Sequence, residues 1–136
     1  MAWVVDTCVL LDVLENDPAH GARSAKLLGK KLGAGLLLCP VTFVELAPAF
    51  DGSAELQEEF CNGVGVAFRE PWTFQDSRAA HASWAQHIRR RRTGAAPKQP
   101  IADVLIGAFA CRFEGIITRN ASDFRRLFPS LQIAEP

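Results

Sequence analysis

The feature that most constrains this chain is an alternation of short apolar runs with segments of helical apolar spacing. Ala2–Val5 (AWVV) reads as a buried strand ending at Asp6, and Thr7–Asn16 follows at once as a helix with apolar residues at Val9, Leu10, Val13 and Leu14. The same couple recurs along the chain. Residues 17–35 read as a helix with Asp17 as N-cap and Pro18 at its first position, and Leu36–Pro40 (LLLCP) as a second strand. Val41–Phe50 reads as a helix that Pro48 bends or ends, because proline removes a backbone donor and clashes with the preceding turn.

A short helix at Ala54–Cys61 leads to a third strand in Gly65–Glu70, and Thr73–Arg92 is the longest helical segment. Beyond the loop Thr93–Pro100 come an apolar helix (Ile101–Phe113), a fourth strand (Gly115–Thr118), a short helix (Ala121–Phe128) and a weak last strand (Leu131–Ala134). Strands alternating with helices imply an α/β fold: a three-layer α/β/α sandwich around a parallel sheet of four to five strands. At 136 residues, 1–136 reads as a single domain able to bury a core without staples. In such sheets functional groups gather beyond the carboxyl ends of the strands, where strand order reverses. Asp6 and Thr118 stand at two such ends.

Composition narrows the class. The chain is 49% hydrophobic, which marks a globular protein, and no apolar run reaches the roughly 18–20 residues of a membrane span. With no basic-then-apolar leader pattern either, the expected location is the cytoplasm, with no membrane partner. Four scattered cysteines, Cys8, Cys39, Cys61 and Cys111, lack zinc-ligand spacing and read as buried reduced thiols. Formal charge is zero, yet residues 89–126 hold nine basic groups against three acidic ones. Local clustering sets surface potential, so a polyanionic partner is compatible with the neutral total.

Among the 15 acidic residues, four lie in apolar company on separate elements: Asp6, Glu45, Asp103 and Asp123. Two unit charges about 4 Å apart repel by roughly 4 kcal/mol at an effective dielectric near 20, so a fold that assembles these acids needs a neutralising partner. Oxygen ligands without Cys or His suit Mg²⁺ or Mn²⁺. A hard cation of that kind activates water and stabilises developing phosphate charge, which implies phosphodiester hydrolysis. The bland alternative makes Glu45 a surface ion-pair partner and Asp103 a helix cap. Asp12, also among apolar residues, reads as a solvated or paired residue on the outer course of its helix.

The stretches VVDTCVLLD (Val4–Asp12), VTFVEL (Val41–Leu46), ADVLIGAFA (Ala102–Ala110) and IITRNASDF (Ile116–Phe124) together resemble the PIN-domain family, in particular the VapC-type toxins of toxin–antitoxin pairs. The resemblance spans almost the whole chain. It implies a metal-dependent endoribonuclease on a PIN-like α/β/α sandwich, with an RNA substrate, a homodimeric state and a cognate antitoxin. On this pattern Asp6, Glu45 and Asp103 resemble the first three metal-binding acids and Asp123 the acid that closes the site. Thr7 resembles the hydroxyl residue that follows the first acid, and Thr118 and Asn120 the polar pair that shapes the site. Some relatives carry an acid where this chain has Asn120, so the expectation is one strongly held ion, with a second recruited by RNA.

For RNA contacts, Arg119 beside the site and the Arg89, Arg90, Arg91 and Arg92 run match phosphate chemistry, because guanidinium offers paired donors. Trp72, Phe74 and Trp84 read as core or dimer contacts rather than base-stacking groups, and His81 and His87 lie in no ligand spacing. Three rival readings remain: a receiver-like signalling domain, whose phosphoacceptor Asp and paired Lys have no place here, a PIN-type RNA-processing nuclease that is not a toxin, and a catalytically inactive PIN-like RNA-binding or scaffold module.

Overall fold

The computed structural model describes all 136 residues. Five strands, β1 (Trp3–Val5), β2 (Leu36–Leu37), β3 (Val66–Ala67), β4 (Gly115–Ile117) and β5 (Ile133–Ala134), form one sheet in the order β3-β2-β1-β4-β5. Every neighbouring pair is parallel, with Val5 beside Ile117 and Val4 beside Leu37. The chain builds outward from β1 on one side, then returns to lay β4 and β5 on the other. Strand order therefore reverses between β1 and β4, where Asp6 and Thr118 emerge, and the Asp6 amide donates to the Ile117 carbonyl at 3.0 Å.

The helices are α1 (Thr7–Leu14), α2 (Gly21–Lys31), α3 (Pro40–Glu45), α4 (Ala54–Val64), α5 (Phe74–Arg92), α6 (Ile101–Ala110) and α7 (Ala121–Leu127). They cover both faces, and the two-residue period of the strands divides the core between them. Trp3, Val5 and Ile117 face a cluster with Val9, Leu10, Leu28 and Leu46, whereas Val4 and Ile116 face one with Ile106, Phe109 and Phe124. A third cluster of Ala80, Val104, Ala108 and Leu127 joins α5, α6 and α7. Gly107 is required where α6 meets α7: a Cβ there would strike the Phe128 ring and lie 3.2 Å from Phe124.

Several expected boundaries move, each for a local reason. β2 stops at Leu37 because Pro40 already opens α3, whose N-cap position is Cys39. α3 ends at Glu45, and Pro48 sits in a following 3₁₀ turn over Ala47–Phe50. Asp17 does not cap α2. Its Oδ2 accepts from the amides of Ala19 and His20 at 3.1 and 2.8 Å, closing a turn before the helix starts at Gly21. α6 finishes at Ala110, short of Phe113. Of the cysteines, Cys39 and Cys61 are buried, Cys8 is half-buried and Cys111 is exposed, all as free thiols. Trp72 stacks on Phe109 and Trp84 packs on the third cluster, but Phe74 is 78% exposed and so lies outside the core.

Candidate metal centre

Asp6 leaves the end of β1 as the N-cap of α1 and is 4% exposed. Three donors hold its carboxylate: the Thr118 hydroxyl at 2.7 Å, the Thr7 amide at 2.8 Å and the Cys8 thiol at 3.4 Å. Thr118 is fully buried, and its Oγ1 also accepts from the Asn120 amide at 2.9 Å. Capping and site-building are thus one arrangement: the threonine that receives the chain entering α7 fixes the first acid. Asn120 occupies the N-cap position of α7 but makes no side-chain cap bond.

Glu45 ends α3 with an exposed side chain, and the Thr7 hydroxyl donates to its Oε1 at 2.7 Å. Thr42, fully buried one turn earlier, shares a 3.1 Å hydrogen bond with Thr7. Thr7 therefore ties the second acid to the first through its own backbone and side chain. Asp103 lies in the first turn of α6 and accepts a hydrogen bond from the side-chain amide of the buried Gln99. Asp123 lies in the first turn of α7 and accepts from Arg126 at 3.2 Å. The same Arg126 nitrogen donates to Gln99 Oε1 at 2.7 Å.

The electrostatics mark these acids as one group. Burial pushes the Asp103 carboxyl up to about 6, with further upward pressure from Asp6, Glu45 and Asp123, against which the Gln99 bond acts. Asp6 is also raised, by burial, although Thr118, Cys8, the Thr7 amide and Arg119 all favour its ionised form. Internal donors thus leave the negative charge incompletely compensated. As the side chains stand, no three His, Cys, Asp or Glu residues are arranged to hold a metal ion. Each acid instead faces its internal partner: Thr118, Thr7, Gln99 or Arg126. The donor chemistry, all carboxylate oxygen with excess negative charge, fits Mg²⁺ or Mn²⁺ bound partly through water.

Sequence reading brought the acids to the right end of the sheet but overlooked their partners. Arg126 stands three residues after Asp123 on α7, a spacing at which helical side chains meet, whereas Gln99 lies in the loop before α6, four residues ahead of Asp103. Arg119 is largely committed. Its Nε and Nη2 donate to Asp12 at 2.7 and 3.1 Å, leaving Nη1 for any phosphate. Asp12 itself is 5% exposed and also accepts from Ser24, so of the two expectations for it, pairing holds and solvation does not. Arg89, Arg91 and Arg92 are exposed at the end of α5, and Arg90 is half-buried. His87 is buried with Nε2 unpartnered, and burial followed by Arg126, Arg91 and Arg90 disfavours its protonation.

A five-stranded parallel sheet wrapped by helices, with carboxylates beyond the β1/β4 switch point, defines a PIN-like fold. The solved structure of VapBC2 from Rickettsia felis bound to a DNA fragment from its promoter superimposes with a TM-score of 0.61, covering 99% of this chain and 98% of the other at 15% identity. That likeness is one of fold. No family model matches the sequence, and no curated protein matches it. No helix is long and apolar enough to cross a membrane.

Proposed function

We propose that this chain is a divalent-metal-dependent endoribonuclease, the toxin of a toxin–antitoxin pair, cutting RNA at the cluster of Asp6, Glu45, Asp103 and Asp123. The observation that carries the reading is the undercompensated charge on Asp6 and Asp103 at the switch point. Asp103 has one donor against three acidic neighbours, an arrangement that a bound cation would neutralise. The VapBC2 fold likeness supports the toxin assignment and a protein antitoxin as partner.

In this reading the fold does most of the positioning. Thr118 and the Thr7 amide hold Asp6 still, and the Thr7 hydroxyl orients Glu45. When bound, Mg²⁺ or Mn²⁺ supplies charge neutralisation and an activated water. One ion is held by the free chain, and RNA recruits a second beside the neutral Asn120. The exposed arginines at the end of α5 grip backbone phosphates, and Arg119 adds a single donor. Neutralising Arg89 to Arg92 together weakens RNA binding and reduces the salt slope by roughly 0.7 for each phosphate that is no longer neutralised. An unchanged slope removes them from the interface.

A catalytically inactive RNA-binding module is favoured by one observation, the engagement of every acid with an internal partner. Incubating the chain with RNA in Mg²⁺, in Mn²⁺ and in EDTA, alongside Asp6→Asn, separates the two. Cleavage that needs metal and Asp6 is the expected result. Cleavage that survives EDTA or the substitution overturns the metal mechanism, and metal-independent RNA binding without cleavage establishes the inactive module.

A further inference from the structure

Arg126 differs from the other carboxylate-paired arginines, Arg112 and Arg119, in how it is held. Arg112 and Arg119 each give Nε and Nη2 to both oxygens of one carboxylate, the paired geometry of a settled ion pair. Arg126 is held through Nη2 alone, shared between Gln99 Oε1 and Asp123 Oδ1, while its buried Nε has no partner. Gln99 passes the contact on, accepting from Arg126 and donating to Asp103. One guanidinium thereby reaches two of the four acids. Both links are short in sequence: Arg126 lies one helical turn from Asp123, and Gln99 sits in the loop four residues before Asp103. The cation is therefore tethered at the site and cannot diffuse away.

From this geometry, and resting on the metal-centre reading above, we infer that Arg126, working directly on Asp123 and through Gln99 on Asp103, is a positioning residue that competes with the divalent ion for these acids and weakens, without abolishing, metal binding by the free chain. The two occupants cannot both be fully accommodated. A carboxylate oxygen turned to Arg126 or Gln99 is turned from a common metal point, which accounts for the lack of a ready three-acid arrangement. A fixed positive charge beside the cluster also repels a dication, and Arg90, Arg91 and the unpartnered His87 add no negative charge on the α5 side. The loose hold on Arg126 leaves it free to swing out, and a phosphate entering the site offers it two oxygens in exchange.

Mn²⁺ titration of the free chain by calorimetry tests this without any activity readout. Arg126→Met keeps the apolar stem and removes charge and donors, leaving Gln99 Oε1 and Asp123 Oδ1 without that partner. It is expected to bind Mn²⁺ at least ~5-fold tighter than the parent, with the gain shrinking as salt rises because the repulsion removed is electrostatic. Arg126→Lys, which retains the charge, stays within ~2-fold of the parent, and Gln99→Leu, which frees Asp103 but leaves the cation, falls between. Circular dichroism confirms folding, with Arg126→Gln as the substitute should the Met variant unfold. Unchanged or weaker binding in a folded, charge-free variant overturns the inference while leaving the metal centre standing. If neither the parent nor Arg126→Met binds Mn²⁺, or if the parent binds it as well as Asp103→Asn does, the metal-centre reading itself fails and the inference with it.

Discussion

Asp76 and Asp103 sit on adjacent packed helices, both drawn into the protein, yet they teach opposite lessons. Asp76 is fully buried and fully answered. Its carboxylate accepts from Arg112 Nε and Nη2 at 2.7 and 2.9 Å and from the Thr73 amide at 2.9 Å, completing the capping box that starts α5. Arg112 is braced in turn by the Pro71 carbonyl and by the Phe109 and Phe113 rings. Asp103 has one amide donor from Gln99 and three carboxylates for neighbours, and its carboxyl is pushed up to about 6. Burial of an acid says little by itself. Whether its charge is compensated separates a structural staple from a site.

That contrast can be broken most forcefully at the staple. Asp76→Ala takes the paired carboxylate from Arg112, leaving it Glu70 at 3.7 Å and the Pro71 carbonyl, and breaks the capping box, so urea denaturation should show a loss of about 3 kcal/mol. A loss under about 1 kcal/mol would mean that the pair is not structural. Arg119→Ala removes two of the three side-chain donors to Asp12, the Ser24 hydroxyl remaining, and should cost about 2 kcal/mol by the same measurement.

At the site the sign reverses. Asp103 binds its proton more tightly in the folded chain than its ordinary 3.8 would allow. Its contribution is therefore fully present below pH ~4 and is lost as pH rises through about 6. Asp103→Asn should flatten that fall, gaining about 1–2 kcal/mol at pH ~7 in the absence of metal, after allowance for solvent screening. A variant less stable than the parent at neutral pH would show that the charge is compensated after all. Smallest of all, Arg69→Ala breaks a 4.0 Å pair between an 85% exposed arginine and Glu58 and should change stability by less than about 0.5 kcal/mol.

Much of the fold could be read from the sequence because βα alternation is a local signal repeated along the chain. The buried runs at Trp3–Val5 and Gly115–Ile117 end in Asp6 and Thr118, and a doubly wound sheet brings those two ends together. What escaped sequence reading depends on partners distant in sequence. Asp12 and Arg119 are 107 positions apart and Asp76 and Arg112 are 36 apart, so no periodicity links them. Sequence reading did not single out Asp76, although its place three residues after Thr73 is a capping-box spacing. Arg126 was visible only as part of a basic excess. Its distinction, a single shared nitrogen, exists only in three dimensions.

The most direct measurement of the central claim, that the Asp6–Asp103 cluster is an acid site completed by a divalent cation, is thermal unfolding with and without Mn²⁺ across pH ~4.5 to ~7.5. The expected result is a rise of several degrees in the midpoint at the upper pH, little at the lower pH where protons occupy the acids, and none at either pH in Asp6→Asn. A midpoint indifferent to Mn²⁺ at pH ~7.5, or one raised equally in Asp6→Asn, would contradict it.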